Sequence, residues 1–338
     1  MVIDWLMSKE ADVEDGRIAS FGDVTSEYQA LESAIVVPLL GHTALRVTGD
    51  DRHDFVHGQL THEVNRLNVN SFSENLMLNH KGHALAQMRV FRREGDLFIA
   101  VEGGAGALVE HELRAHIVFD QVELQNLSSA ITSFTVQGKT ASRVIGNLEM
   151  PLPADNGFTQ IPFADAKILL HPAKRTVYGG FDIHVLSRDA ESLARYLLEQ
   201  GATLAGEKAL TISRIEAGIP LAETEAGDGV LPQEAGLEPL VSYAKGCYLG
   251  QEIMARIEAR GNLRRMLKGL LLSSMPDSRG IFLDSKNVGQ LGAVAHHPSL
   301  GVIALAVLRN DIDPDAALKV SGVEARVTEL PFDSFAIQ

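Results

Sequence analysis

The sequence predicts an α+β protein that ends in a small all-β domain. Strand-like and helix-like runs alternate along the chain without the regular rhythm of a doubly wound sheet. After Gly261 the helical signals fade, and short strand candidates follow at close spacing with Gly, Pro and Asp between them. With 338 residues, 45% of them hydrophobic and 22% charged, the chain is long enough for two or three domains with a real core.

Residues 50–67, DDRHDFVHGQLTHEVNRL, read as a helix. Val56, Leu60, Val64 and Leu67 recur at helical spacing, and Asp50 can cap the start. Residues 75–102 read as a three-strand meander with turns at Asn79–Gly82 and Arg93–Asp96. A second helix covers 106–118, with Val109, Leu113, His116 and Ile117 on one stripe. FDIHVL at 181–186 alternates as a strand with Phe181, Ile183 and Val185 on one face. A helix follows with Asp189 as cap and Gly201 as stop, and EKALTISRIEAG gives another with Ile212, Ile215 and Ile219 in line.

The stretch Ile219–Gly246 has little periodicity. A loop of this length in a compact domain is usually functional or disordered, and its Val, Leu and Tyr content disfavours disorder. It is acidic, and the sign of charge changes at Lys245, after which Arg256, Arg260, Arg264, Arg265 and Lys268 follow. KGLLL, VGQLGAVA, GVIALAVL, LKV and VEARVTEL are the strand candidates of the tail. The boundary is placed near 261–265, giving regions 20–260 and 261–338.

The net charge of −14 argues against a dedicated nucleic-acid surface. The single cysteine, Cys247, excludes an internal disulfide and a metal or iron–sulfur site held by several cysteines of one chain. A reducing, cytoplasmic setting is expected. The N-terminal stretch lacks the basic region and cleavage site of a signal peptide, and no apolar run reaches the roughly 18 residues of a membrane span.

Cys247 lies in KGCYLGQE, Lys245–Glu252. A nearby lysine, a helix that can start at Gly250 and open flanking glycines all favour a thiolate; a buried structural cysteine is the alternative. His53, His57 and His62 lack the His-Glu pattern of a zinc hydrolase helix and read as surface or core histidines, as do His80 and His83. EGGAG at 102–106 reads as a plain loop rather than an anion site. Arg214 and Glu216 are two apart on a helix and face different ways.

KGCYLGQE resembles the signature of the YgfZ-type folate-binding proteins, relatives of the aminomethyltransferase (T-protein) of the glycine cleavage system. DFVHGQLTHEV (54–64), LNHKGHALA (78–86), RIEAGIP (214–220), LPQEAGL (231–237) and RIEARGNLRRML (256–267) resemble further motifs of that family, in order. The resemblance covers roughly residues 30–335. It implies a T-protein-like fold: two intertwined α+β subdomains around a central folate channel, plus a C-terminal β-barrel. It implies tetrahydrofolate or a related reduced folate as cofactor, bound by Asn79, Arg214, Glu216, Gln233, Glu234, Tyr248, Gln251, Glu252 and Arg256, with Cys247 and Lys245 as the catalytic pair and no resident metal. Glu216 or Glu234 would meet the pterin, and Arg256 or Arg260 the glutamate tail. Where T-proteins carry paired aspartates this chain has Ala86 and Gln87, which leaves turnover open. The only tryptophan, Trp5, lies outside the matched region, so pterin stacking falls to Phe or Tyr. The implied function is support of iron–sulfur protein maturation or repair, and through it tRNA modification, with client or assembly proteins as partners, no membrane and no stable nucleic-acid binding. A tetrahydrofolate-dependent aminomethyltransferase or other one-carbon transferase is the alternative, and a tRNA-binding module using 256–268 is a weaker one.

Overall fold

The computed structural model describes residues 2–146, 152–227 and 229–332, with the Arg260 side chain outside that description. Helix α1 (Val2–Met7), the ribbon β1 (Asp12–Glu14) and β2 (Arg17–Ser20), and α2 (Val24–Gln29) come first. Then follow β3 (Ile35–Pro38), β4 (Thr43–Thr48), α3 (Arg52–Gln59), β5 (Ser71–Leu78), β6 (Ala84–Arg92), β7 (Leu97–Val101) and α4 (Gly106–His116). Next are β8 (Glu123–Asn126), β9 (Ile131–Gln137), α5 (Ala141–Gly146), β10 (Thr159–Phe163), β11 (Ala166–Pro172), β12 (Gly180–Leu186), α6 (Ala190–Glu199) and β13 (Thr203–Leu204). After α7 (Glu207–Glu216), α8 (Ala222–Glu225) and α9 (Gln251–Arg260) come β14 (Arg265–Leu272), β15 (Gly280–Leu283), β16 (Lys286–His297), β17 (Gly301–Arg309), β18 (Leu318–Val320) and β19 (Val323–Thr328). No helix among the described residues is long and apolar enough to cross a membrane.

The chain divides into two compact units. The first comprises Met1–Val56, Glu63–Glu74 and Met88–Leu210; the second comprises His57–His62, Asn75–Gln87 and Thr211–Gln338. A six-stranded sheet of order β10-β11-β12-β9-β3-β13 lies in the first unit, and a five-stranded sheet has order β5-β6-β7-β4-β8. Phe134 and Val136 of β9, with Ile183 and Val185 of β12, pack on Leu193 and Leu197 of α6 and on Trp5 and Leu6 of α1. Each such aliphatic side chain contributes about 1.5–3 kcal/mol by leaving water.

The alternation of β12 predicts one polar face, yet that face is also buried. Asp182 is 1% exposed and His184 4%. A network of charges explains it. Arg175 donates to both oxygens of Asp182, at 2.9 Å from Nε and 2.6 Å from Nη2, and to Glu102 at 2.9 and 2.7 Å. Arg89 pairs with the same Glu102 and with Glu74 at 2.6 Å, and His42 Nε2 lies 3.1 Å from Glu102. Arg89 on β6 and Glu102 after β7 belong to the five-stranded sheet; Asp182 on β12, with Arg175 before it, belongs to the six-stranded one. Burying these charges costs desolvation, so removing any one partner leaves an uncompensated ion and is strongly destabilising.

His171 and His184 continue the network among Phe72, Phe91 and Phe98. His171 Nδ1 donates to the Pro172 carbonyl at 2.9 Å, so its Nε2 must accept, from His184 Nε2–H at 3.3 Å. His184 Nδ1 then accepts from the Ser133 hydroxyl at 2.8 Å. Both rings are neutral in this arrangement. Burial pushes the His171 pKa down to about 4 and holds His184 well below its ordinary value.

The second unit contains a closed barrel of order β14-β17-β16-β15-β18-β19, with β19 returning to β14. Its centre holds Leu270, Ile281, Leu291, Ala304, Ala306 and Val320. The strand candidates of the tail all form, and β15 adds one that the spacing did not predict.

Other departures have identifiable causes. The helix expected over 50–67 stops at Gln59, because tertiary partners take over the backbone groups beyond it. Thr61 N–H bonds the Leu76 carbonyl at 3.1 Å, Thr61 Oγ1 bonds the Leu240 carbonyl at 2.7 Å, and His62 N–H bonds Asn75 Oδ1 at 2.8 Å. The helix begins at Arg52 rather than directly after Asp50. Asp189 occupies the N-cap position of α6 without a cap bond, and His116 on α4 is exposed.

These histidines set an acid limit on the first unit. Unfolded, they bind protons below about pH 6.5; folded, His171 does so only near pH 4. The unfolded state therefore binds more protons across that window, and stability falls as pH drops through it, by about 3 kcal/mol for His171 alone. Urea unfolding followed by the fluorescence of Trp5, buried in the same unit, should show this loss between pH 6.5 and 4. A midpoint that stays constant across the window would contradict the neutral pair.

Candidate functional site

The loop from α7 to α9 is built around a buried carboxylate. Arg214 on α7 donates to Glu225 at 3.1 Å, to the Ile219 carbonyl at 2.7 Å and to Thr224 Oγ1 at 3.3 Å. The fully enclosed Glu225 side chain also accepts the Leu221 N–H at 2.7 Å and the Thr224 hydroxyl at 2.6 Å. Its other oxygen accepts the Ala293 N–H at 2.9 Å, where the β16–β17 register shifts. Gly292 leaves room for it: a Cβ there would sit 2.6 Å from Oε1. Gln87 Oε1 accepts the Ala222 N–H at 3.2 Å, and the neighbouring Ala86 is buried. The loop expected to be irregular is thus folded onto the barrel and contains α8 and a 3₁₀ turn at Glu238–Leu240.

Arg214 and Glu216 face apart, as their spacing predicts. The Glu216 carboxylate lies 3.8 Å from His297 Nε2, and its carbonyl accepts the Phe332 N–H at 2.8 Å. Glu234 is buried, accepts the Leu231 N–H at 3.1 Å and holds Arg265 through two bonds of 3.2 and 2.8 Å. Of the two carboxylates expected at a pterin, Glu234 therefore already faces a protein cation and Glu216 a histidine ring.

Gln233 is different. Its Nε2 donates to Tyr243 Oη at 3.0 Å and contacts Met254 sulfur at 3.3 Å, while its buried Oε1 has no partner among the described residues. Burial raises the Tyr243 pKa and pushes that of Tyr248 up to about 12, so both phenols are neutral at physiological pH. Asn79 is used in its turn, where Oδ1 accepts the N–H groups of Lys81 at 2.9 Å and His83 at 3.1 Å.

KGCYLGQE presents two side chains inward and its thiol outward. Lys245 and Tyr248 are buried; Gly246, Cys247 and Leu249 are exposed. The Lys245 ammonium donates to the carbonyls of His57 at 2.5 Å, Leu60 at 2.6 Å and His62 at 3.1 Å, at the end of α3 and just beyond it. It also lies 5.1 Å from the centre of the Tyr248 ring. A cation is favoured there, because the last carbonyls of a helix lack backbone partners and carry its negative pole. This corrects the expectation that Lys245 serves Cys247 directly: the ammonium hydrogens point at carbonyl oxygens, and the lysine holds the loop. Gln251 Nε2 adds a bond to the Lys245 carbonyl at 3.3 Å. Gly250 starts α9 with φ +87°, and a Cβ there would sit 3.1 Å from the Asn79 carbonyl. Glu252 and Arg256 pair on the exposed side of α9 at 2.6 Å.

The expected residues thus fall into several groups. Lys245 and Gln251 hold the thiol loop, and Gln233 joins Tyr243 and Met254 in the apolar cluster that also contains Tyr248. Arg214 pairs with Glu225, Glu234 with Arg265 and Glu252 with Arg256, while Glu216 lies beside His297 and Asn79 serves its own turn. The sequence reading missed Glu225, one of several acids in its loop, and the carbonyl trio, which has no side-chain signature. Among the described residues no three His, Cys, Asp or Glu side chains are grouped to hold a metal.

If Lys245 is the anchor, Lys245→Gln removes a buried cation from three carbonyls it cannot all replace. Urea unfolding should show a loss of about 2–4 kcal/mol, since each buried polar group left unsatisfied costs about 1–3 kcal/mol. A change below about 0.5 kcal/mol, the range of ordinary surface substitutions, would remove the anchoring role.

Comparison with known proteins places this architecture. Over 264 residues the chain is 27% identical to an aminomethyltransferase of Caldanaerobacter subterraneus subsp. tengcongensis, covering 74% of this chain and 69% of that one. It is also 27% identical over 292 residues to the tRNA-modifying protein YgfZ of Hamiltonella defensa, covering 83% and 84%. The crystal structure of the glycine cleavage system aminomethyltransferase T from Bartonella henselae superposes with a TM-score of 0.84 over 98% of this chain and 96% of that one, at 17% identity. The fold is that of the T-protein, mixed α+β with a six-stranded C-terminal barrel. Residues 15–245 match the GCVT N-terminal domain, and the chain belongs to that family.

Proposed function

We propose that this chain is a folate-binding accessory protein of the YgfZ type. In this reading it supports iron–sulfur protein maturation or repair, and through it tRNA modification, with Cys247 as the reacting thiol. The observation that carries the reading is the thiol loop. Lys245 and Tyr248 are buried on either side of an exposed, unpaired cysteine, so the loop is fixed while the sulfur stays accessible. The similarity to proteins named YgfZ from Hamiltonella defensa and Edwardsiella ictaluri supports it, over 83% and 82% of this chain. So does the Ala86–Gln87 pair: Ala86 is buried and Gln87 is engaged with Ala222, so neither supplies a carboxylate base.

A reduced folate fits part of the site. Gln233 offers a buried amide oxygen without a partner, suited to the amino or ring N–H groups of a pterin. Tyr243 and Tyr248 supply neutral aromatic surface, and exposed Arg256 can meet the carboxylates of the glutamate tail. Arg260, the other cation considered for the tail, has its side chain outside the described residues. When bound, the folate supplies a carrier for one-carbon units. The chain's own part is to bind and orient it and to present Cys247, whose thiolate form is a nucleophile and an iron ligand. One cysteine cannot enclose a cluster, so the remaining ligands belong to a client protein, a second chain or a small thiol. The lone thiol also suits a cytoplasmic setting.

A second reading, a tetrahydrofolate-dependent aminomethyltransferase, is favoured by the named relatives and the shared fold. Turnover with an aminomethyl donor separates the two and is expected to be absent. Cys247→Ala should keep the urea midpoint of the parent, because the side chain is exposed. It should fail to restore iron–sulfur-dependent tRNA modification in a strain lacking the protein. Full restoration by this variant would sink the thiol role, and no saturable heat with millimolar reduced folate would sink the cofactor assignment.

A further inference from the structure

We propose that the barrel carries a binding cleft for a multivalent oxyanion, formed by Arg265, Arg279 and Arg309. The inference does not rest on the folate reading. The cleft has a volume of about 320 Å³, and Asn287 and Gln290 complete its polar lining.

Arg265 and Arg309 are direct cross-strand partners in the antiparallel pair β14–β17. Directly opposed residues place their Cβ atoms about 4.5–5.5 Å apart, and like charges there are destabilising. In a chain of net charge −14 this juxtaposition is unfavourable on its own account only in part, because each arginine has one acid. Arg265 is held by Glu234 through Nε and Nη2, and Nη2 also reaches the Gly229 carbonyl. Arg309 is held by Asp311 through Nε at 2.9 Å and Nη2 at 2.5 Å. Both pairs use the same edge of the guanidinium. The Nη1 edge of each, with two N–H donors, has no partner among the described residues.

Arg279 adds a third cation to the same cleft. It precedes β15, its carbonyl accepts the Leu291 N–H at 2.7 Å, and its exposed guanidinium has no ion pair or side-chain hydrogen bond among the described residues. Among the described residues, two acids thus pair with three guanidinium groups that line one concave surface. Arginine donors arranged this way match the planar oxygen pairs of carboxylates and phosphates. The Arg309–Asp311 pair is exposed and weakly held, so an incoming anion can displace Asp311.

The test is calorimetric titration of the full chain with inorganic pyrophosphate and, separately, with citrate, at low ionic strength. At least one should bind saturably at or below millimolar concentration, and the tighter of the two tells whether the natural ligand carries phosphate or carboxylate. Arg279→Gln should weaken that binding about tenfold without shifting the urea midpoint, since the substitution keeps the backbone bond to Leu291 and the side chain makes no bond among the described residues. Arg188→Gln, an exposed arginine of the first unit, should leave it unchanged. Absence of saturable binding of both anions below about 10 mM, or equal weakening by Arg279→Gln and Arg188→Gln, would overturn the proposal.

Discussion

Beyond the last turn of a helix, backbone carbonyls must find donors elsewhere or lose the hydrogen bonds they had in water. At the end of α3 the donor is the Lys245 ammonium, which meets the carbonyls of His57, Leu60 and His62. No carboxylate is needed, because the cation interacts with the negative pole of the helix and with the Tyr248 ring. The consequence for the thiol loop is geometric. Once Lys245 and Tyr248 are fixed inside, Cys247 between them must face out, and the αL turn at Gly250 aims the chain into α9.

The same solution to buried charge recurs in different forms. Glu225 is a buried anion satisfied by one guanidinium, one hydroxyl and two backbone N–H groups. In the first unit Arg89, Arg175, Glu102 and Asp182 satisfy one another, and two neutral histidines extend them into an aromatic cluster. Such groups contribute little net stability over an apolar core, but each alternative packing strands a charge. They therefore favour one arrangement of strand β12 against its neighbours and one path for the loop between α7 and α9.

How much of this the sequence discloses depends on range. The meander β5–β7, helices α4, α6, α7 and α9 and most of the barrel follow from period and turn residues, which act within a few positions. The length of α3 does not, because Thr61 is claimed by Leu240, far along the chain, and His62 by Asn75 on strand β5. Strand β15 was missed because GIFL is short and carries no alternation of its own; it exists through β16 and β18. The buried polar face of β12 is the clearest failure of pattern reading. Asp182 and His184 look like a solvent face until Arg175 and His171 are known to cover them. At the candidate site, the motif located the loop and its lysine, whereas the role of that lysine depends on backbone carbonyls that leave no trace in a motif.

Lys245 anchors the thiol loop as a buried ammonium held by carbonyl oxygens. Proton–nitrogen NMR of the lysine side chains tests it most directly. An ammonium held by three hydrogen bonds should give a resolved, slowly exchanging signal at neutral pH that disappears in Lys245→Gln. If the Lys245 ammonium instead exchanges with water as fast as the exposed lysines do, the anchor does not exist, and the fixed presentation of Cys247 goes with it.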